Sequence, residues 1–291
     1  MVDICTLPSR AVFRLSGGDA AEWLQGLITN DMARLETEGA LYAALLSPQG
    51  KILFDFLVYQ AADSLLIDCE ASALEPLMKR LSMYRMRSDV ALTPEPSLGV
   101  ISSCTPLDTG LPFVELAVRD PRLEKLGHRM VGDTALMRKE FESQGHRVDD
   151  ESVYRDYLLT LGVPNGAADF APGKAYPLES NFEELNGVSF TKGCFIGQEV
   201  VARMKHKAVL KKRTLPFTTD GGTPAPGSAI RVGDAKTGEI LSSSGSAGLA
   251  LVRLEEWRQA EAAELPLEAD AVRLNVEVPD WLNLLNDARV S

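Results

Sequence analysis

The sequence predicts an α+β fold followed by a smaller all-β unit. Three observations carry this reading. Through about residue 207, amphipathic helical runs alternate with strand-like runs. After about residue 208, short β runs are separated by Asp220-Gly221-Gly222, Pro226-Gly227, Gly233-Asp234 and Ser244-Gly245. The chain has 291 residues, 45% hydrophobic and 24% charged, an ordinary globular balance with room for two or three units. We therefore expect an α+β region over 1–207 and an antiparallel β-barrel or sandwich over 208–291.

The elements follow in order. Asp19 and Glu22 have capping-box spacing, and Trp23, Leu24, Leu27 and Ile28 then recur at helical intervals, so a helix starts at Asp19. It ends at Thr29-Asn30-Asp31, residues that prefer loops and caps. A hairpin follows, strands 40–46 and 51–59 joined by Ser47-Pro48-Gln49-Gly50. Residues 64–69 read as a third strand and 73–86 as an amphipathic helix, apolar at 74, 77, 78 and 81. Short strands are expected at 90–92, 98–102 and 113–118, then helices at 133–144 and 150–161. The Gly-, Pro- and Asn-rich stretch 162–174 reads as an ordered loop. A helix starts near Gln198, with Val200, Val201 and Met204 on one face. The terminal β runs are 213–218, 229–232, 238–244, 248–253 and 272–278.

Composition excludes several function classes. Lys plus Arg is 30 against 41 for Asp plus Glu, a net charge of −11. Such an acidic chain is no general nucleic-acid ligand, because phosphate binding draws on Lys and Arg, nor a polybasic membrane-surface protein. No apolar run is long enough to span a bilayer. The first residues carry Asp3 and lack the basic and apolar regions of a signal peptide, and they are poor in Arg and Ser for a mitochondrial presequence. The expected compartment is the cytoplasm. Cys5, Cys69, Cys104 and Cys194 form no CxxC pair and are expected to be free thiols. Cys69 and Cys104 end apolar runs and read as buried strand residues.

One segment departs from this background. FTKGCFIGQEVVARMKHK (190–207) sets Cys194 between Gly193 and Gly197, ahead of a helix N-terminus and two residues from Lys192. Both neighbours favour a thiolate. Residues 192–213 hold seven cations (Lys192, Arg203, Lys205, Lys207, Lys211, Lys212, Arg213) against Glu199 alone. A basic island in an acidic chain is a candidate anion site. The local chemistry alone also allows the glycines to form a structural joint and the lysines a solvated face.

KGCFIGQE (192–199) resembles the signature K-G-C-[FY]-x-G-Q-E of the YgfZ-type folate-binding proteins. These are relatives of the glycine-cleavage T-protein (aminomethyltransferase), and their mitochondrial counterparts assist iron–sulfur cluster assembly. The likeness extends through 26–59, MYRMRSDVAL (83–92), YRDYLLTLGVPN (154–165), YPLESNF (176–182) and VLKKRTLPF, nearly the whole chain. It implies tandem ferredoxin-like α/β domains around a central opening that binds tetrahydrofolate, then a small C-terminal antiparallel β-barrel. It also implies folate and iron–sulfur enzymes or their assembly machinery as partners.

On that resemblance Cys194 is the reactive thiol, with Lys192 lowering its pKa. Gly193, Phe195 and Gly197 shape the loop, while Gln198 and Glu199 cap the following helix. Asp55 and Glu179 are candidate pterin partners, and Arg85, Arg203 and Lys205 candidate partners of the glutamate tail. Asp55 could instead be an outward strand carboxylate, and Arg85 could merely cap a helix. Asn30 and Asp31 either line the folate opening or simply end a helix. The T-protein carries two adjacent carboxylates where this chain has Phe54-Asp55, and it lacks the GC[FY]xGQ element. Both departures point from glycine cleavage to an iron–sulfur accessory role. The alternatives are a folate-dependent aminomethyltransferase or demethylase with Asp55 as acid/base, and a binding module that docks through Lys205, Lys207 and Lys211.

Overall fold

The structure is a computed structural model that describes residues 4–105, 110–207 and 210–284. The chain starts with β1 (Ile4–Thr6), β2 (Arg10–Ser16), α1 (Ala20–Gln25), α2 (Leu35–Glu38) and β3 (Ala40–Leu46). It continues through β4 (Ile52–Ala61), β5 (Ser64–Glu70), α3 (Leu74–Ser82), β6 (Ala91–Pro94), β7 (Gly99–Ser103) and β8 (Val114–Arg119). Next come β9 (His128–Gly132), α4 (Thr134–Ser143), β10 (Val148–Asp149), α5 (Glu151–Leu161), α6 (Gly166–Asp169) and α7 (Gln198–Lys207). The last part holds β11 (Lys212–Thr219), β12 (Ala229–Val232), β13 (Ala235–Ser244), β14 (Ala247–Arg253), α8 (Leu254–Ala262), β15 (Leu267–Ala269) and β16 (Val272–Val276).

These strands build two five-stranded sheets and a closed barrel. The first sheet has the order β3-β4-β5-β2-β6, the second β10-β1-β7-β9-β8, and the barrel β11-β14-β13-β12-β15-β16. The α+β-then-barrel expectation therefore holds. The first sheet is covered on one face by α1, α2 and α3 through Phe13, Leu24, Ile28, Phe56 and Leu77. Its other face meets the second sheet and α5 in a shared core that includes Tyr42, Leu57, Tyr59, Val131, Leu158 and Phe182. Within β4, Phe56 and Val58 belong to the first core, and Leu57 and Tyr59 to the second, the period-2 alternation of a strand buried on both faces.

Several expectations are corrected. Asp19 makes no capping bond to α1; its carboxylate accepts the Asp89 N–H at 2.7 Å instead, tying the helix start to the segment before β6. α3 ends at Ser82, not 86, and residues 83–88 form turns in which Met86 has φ +44°. β1 and β2 were not foreseen, and β1 crosses into the second sheet beside β7. β9, β15 and α8 were also missed. Cys104 lies just past β7 and is half-exposed, whereas Cys69 in β5 is buried as expected.

A buried ionic network joins the two sheets. Asp68 of β5 accepts from Arg10 Nε at 2.6 Å and from Arg129 Nη2 of β9 at 2.7 Å. Tyr59 OH donates to the same carboxylate at 2.8 Å and accepts from Arg129 Nε at 3.0 Å. Asp120 and Arg122 pair at 2.7 Å beside it, and Arg122 also reaches Tyr154 OH of α5 at 2.9 Å. Burial opposes ionisation of Asp68, but Arg10 and Arg129 hold its carboxyl below the usual range.

Candidate functional site

Asp55 sits in β4 opposite Ala44 of β3. Tyr42 OH donates to its Oδ2 at 3.0 Å, and the Tyr42 ring is itself fixed by stacking on Phe182 at 4.7 Å. Burial raises the Asp55 carboxyl pKa, against the pull of Arg10, Tyr42 and Arg122. Glu70, at the end of β5, is raised by burial too; Arg10 opposes the shift and Asp55 adds to it. The two carboxylates share a roof. A Cβ placed on Gly166 of α6 would lie 3.2 Å from Asp55 Oδ1 and 3.3 Å from Glu70 Cγ. Gly166 has φ +44°, so both its conformation and its contact require glycine.

Asp55 faces two cavities. One is a small polar pocket of about 10 Å³ lined by Arg10, Tyr42, Arg122, Glu151, Tyr154 and Gly166, among others. The other is an open groove of about 290 Å³ between Ile52, Leu53, Phe54, Pro76, Phe170 and Pro172, with Asp55 and Glu70 as its acids. The sequence reading found Asp55 but missed Tyr42, Glu70 and Gly166. A lone Tyr in the otherwise aliphatic run ALYAALL was a usable signal. The approach of Glu70 is a matter of strand register and has no local trace. It places a second carboxylate beside Asp55.

The thiol loop is built on the β3–β4 hairpin. Gly197 has φ +81°, and a Cβ there would lie 2.7 Å from Ser47 O and 3.0 Å from Gly50 Cα. Gly50 in turn has φ +74°, and its Cβ would meet Val200 of α7 at 2.8 Å. The two glycines let loop and turn touch backbone to backbone. Phe195 is buried in the core between the sheets, and Ile196 packs on the core under α1 and α3. Cys194, just before this pair, is exposed. Gly193 has open space around it, so the expected demand for glycine applies at 197 and not at 193.

Lys192 is not a partner of the thiol. Its Nζ donates to the carbonyls of Gln25, Ile28 and Asn30 at 2.6, 2.7 and 2.8 Å, capping the chain that leaves α1. An ammonium has three N–H donors, and all three are spent. Burial draws its pKa down to about 8, with Asp31 resisting. The ammonium also lies 5.2 Å from the Phe195 ring centroid. Lys192 thus positions the loop, and the expected catalytic role beside Cys194 is corrected.

The remaining expected site residues are dispersed. Asn30 is fully buried, its Nδ2 donating to Tyr42 O and Asn186 O at 2.8 and 2.7 Å. Asp31 accepts from Ala33 N and Gln25 Nε2 and starts a short 3₁₀ turn. Neither lines the groove. Arg85 is exposed in the turns beyond α3, at the opposite end of that helix from Ala73 and Pro76 of the groove. Arg203 pairs with Glu199 at 2.9 Å along exposed α7, and Lys205 with Glu183. Glu199 is therefore a surface ion-pair member, and Gln198 N donates to Phe195 O at 3.2 Å in the turn into α7. Glu179 is half-buried near Lys212 and Lys51; burial raises it and the two lysines oppose the shift. The basic island is dispersed as well, since Arg213 is buried against Glu184 at 2.6 Å. Of the docking lysines, the Lys207 side chain lies outside what the structure describes.

With this geometry in place, comparison with known proteins is informative. Residues 211–284 match the family model of the CAF17 C-terminal beta-barrel domain, the barrel seen here. The chain is 35% identical to the mitochondrial iron–sulfur cluster assembly factor IBA57 of Mus musculus, over 94% of this chain and 84% of that protein. The Homo sapiens IBA57 is 33% identical with the same coverages. The chain belongs to the IBA57 family. Among solved structures, aminomethyltransferase T of the glycine cleavage system from Bartonella henselae aligns with a TM-score of 0.74 at 14% identity. That alignment covers 97% of this chain and 87% of that one, and it shows the shared fold. The IBA57 relatives are named as mitochondrial proteins, which overturns the cytoplasmic expectation. Acidic charge and free thiols describe any reducing aqueous compartment, so they could not separate the two.

Proposed function

We propose that this chain serves iron–sulfur cluster assembly, binds tetrahydrofolate in the Asp55 groove, and uses Cys194 as a reactive surface thiol. The observation that carries the reading is the anchored loop: Lys192, Phe195, Ile196 and Gly197 are each fixed in the fold, while Cys194 is left exposed. A fold that anchors Lys192, Phe195, Ile196 and Gly197 and leaves the thiol residue outside suits thiol exchange or a transient cluster contact with a partner protein.

The groove fits the ring end of a reduced folate. Its walls are largely apolar, and the carboxylates Asp55 and Glu70 can accept from an N–H-rich heterocycle edge. Tyr42 holds the Asp55 carboxylate in orientation. When bound, the folate would supply one-carbon chemistry. The expected tail partners Arg85, Arg203 and Lys205 do not line the groove and are not part of this proposal.

Groove and thiol are separate sites on one hairpin. Cys194 does not line the groove, whose near wall at Ile52 is two residues from Gly50 beneath the thiol loop and whose acid Asp55 is five residues from it. Cys194→Ala should therefore bind tetrahydrofolate with a Kd within about twofold of wild type. The same variant should fail to restore an iron–sulfur enzyme in cells lacking the native protein. Full restoration would remove the thiol role, and no folate binding by either protein would remove the folate role.

The approach of Glu70 to Asp55 favours one other reading, a folate-dependent aminomethyltransferase or demethylase. Consumption of tetrahydrofolate with a small amine donor, lost in Asp55→Asn, would decide for it.

A further inference from the structure

Asp169 is a buried carboxylate that the folate and thiol readings leave unused. It ends α6, the short turn whose Gly166 roofs Asp55 and Glu70. Each of its oxygens has a distinct partner. Oδ2 accepts from Asn165 N at 2.6 Å and closes the turn on itself. Oδ1 accepts from Ser242 Oγ of barrel strand β13. No ion pair to a cation is seen at Asp169 among the described residues. The turn packs against β4 on one side and β13 on the other, so it bridges the first sheet and the barrel.

The flanks are pinned independently. Val163 N donates to Leu158 O at 2.9 Å on the α5 side. Gly173 N donates to Ile52 O at 2.7 Å and Ile52 N to Ala175 O at 3.0 Å on the β4 side. Phe170 is buried against Phe182. Between Val163 and Phe170, the Ser242–Asp169 bond is, among the described residues, the side-chain hydrogen bond that ties the turn to the barrel. This short stretch also stands at the smaller of the two cavities that Asp55 lines. Asn165 and Gly166 wall that small pocket, while Phe170 and Pro172, just beyond the turn, wall the groove.

We propose that residues 165–169 form a latched strap over the small polar pocket beside Asp55, held by the Asp169–Ser242 bond, whose release opens that pocket toward the groove. The latched strap limits the site to the groove, large enough for one flat ring system. The released strap exposes Arg10, Arg122, Glu151 and Tyr154 beyond Asp55, a polar extension of mixed charge. Its arginines are already paired with Asp68 and Asp120, so it suits an uncharged polar substituent such as a carbonyl on that ring. The barrel, through Ser242, thereby controls which ligands the sheets can take. This rests on the groove being a ligand site, and the strap itself is testable without any ligand.

The test is amide hydrogen exchange on the full-length protein, wild type against Ser242→Ala, Ser242→Thr and Asp169→Ala. Exchange at residues 166–170 should rise at least tenfold in Ser242→Ala, with 163 and 173–175 unchanged, and Ser242→Thr should restore wild-type protection. Asp169→Ala should be at least as fast as Ser242→Ala. Unchanged exchange in Ser242→Ala overturns the proposal, as does a rise spread evenly over the whole chain. In parallel, stopped-flow binding of tetrahydrofolate should be at least threefold faster in Ser242→Ala. If the strap loosens but tetrahydrofolate binds neither protein, the strap stands and the folate reading falls.

Discussion

Two contacts decide where the thiol sits. Gly50 and Gly197 allow hairpin turn and loop to touch, and both occupy left-handed backbone. Gly50→Ala should cost about 1–3 kcal/mol, from positive-φ strain plus overlap with Val200. Gly193→Ala meets open space and should be close to neutral, so urea unfolding of the two variants separates the glycine that is required from the one that is not. Lys192 and the carbonyls of Gln25, Ile28 and Asn30, at and just beyond the end of α1, make the second contact. Lys192→Met leaves three carbonyls without their donor and should cost about 2–3 kcal/mol. Cys194 alkylation should then change while tetrahydrofolate affinity stays within about twofold. Unchanged stability in Lys192→Met would mean that the ammonium is not the anchor.

At the scale of elements, α6 is a single short turn at the site, and its Asp169 makes it sensitive to pH. In the latched turn, burial raises the Asp169 carboxyl to about 6, against the Ser242 and Asn165 bonds, and Asp55 of β4 raises it further. In a released, solvated turn the group returns to the ordinary carboxylate range near 4. The latched form therefore holds its proton more tightly, and acid favours it. Strap protection, corrected for intrinsic exchange, should fall as pH rises from about 4 to 6 and level off above 6. Asp169→Ala should abolish that dependence. The reverse trend would show that the bonds to the charged carboxylate outweigh burial.

At the scale of the whole molecule, the Arg10–Asp68–Arg129 network binds the first sheet to the second. Replacing Arg129 with Met leaves Asp68 short of one buried partner and should cost about 3–5 kcal/mol in urea unfolding. Asp68 and Asp120 are both held below the ordinary carboxylate range: burial opposes this, but Arg10 and Arg129 at the first, and Arg122 at the second, outweigh it. Their contribution is complete above that range and is lost as pH falls through it, so acid should unfold wild type more steeply than Arg129→Met. A parallel acid transition in the two proteins would count against this network as the main tie.

Much of this organisation is legible in the sequence, and what is missing follows a pattern. Local chemistry determined the hairpin around Ser47–Gly50, helices α4 and α5, the turn-rich barrel strands, and the eight-residue block around Cys194. Each of those signals lies within a few residues of chain, as periodicity, turn type or motif. Only the tertiary structure decided that Lys192 serves α1 and not the thiol, that β1 crosses into the second sheet, and that Glu70 stands beside Asp55. It also scattered the apparent basic island into separate ion pairs. Those outcomes depend on which strands are neighbours and where a long side chain finds carbonyls to satisfy. The donors and acceptors involved, Lys192 and Asn30, Asp169 and Ser242, Arg129 and Asp68, are 61 to 162 residues apart. Sequence spacing holds no record of that proximity.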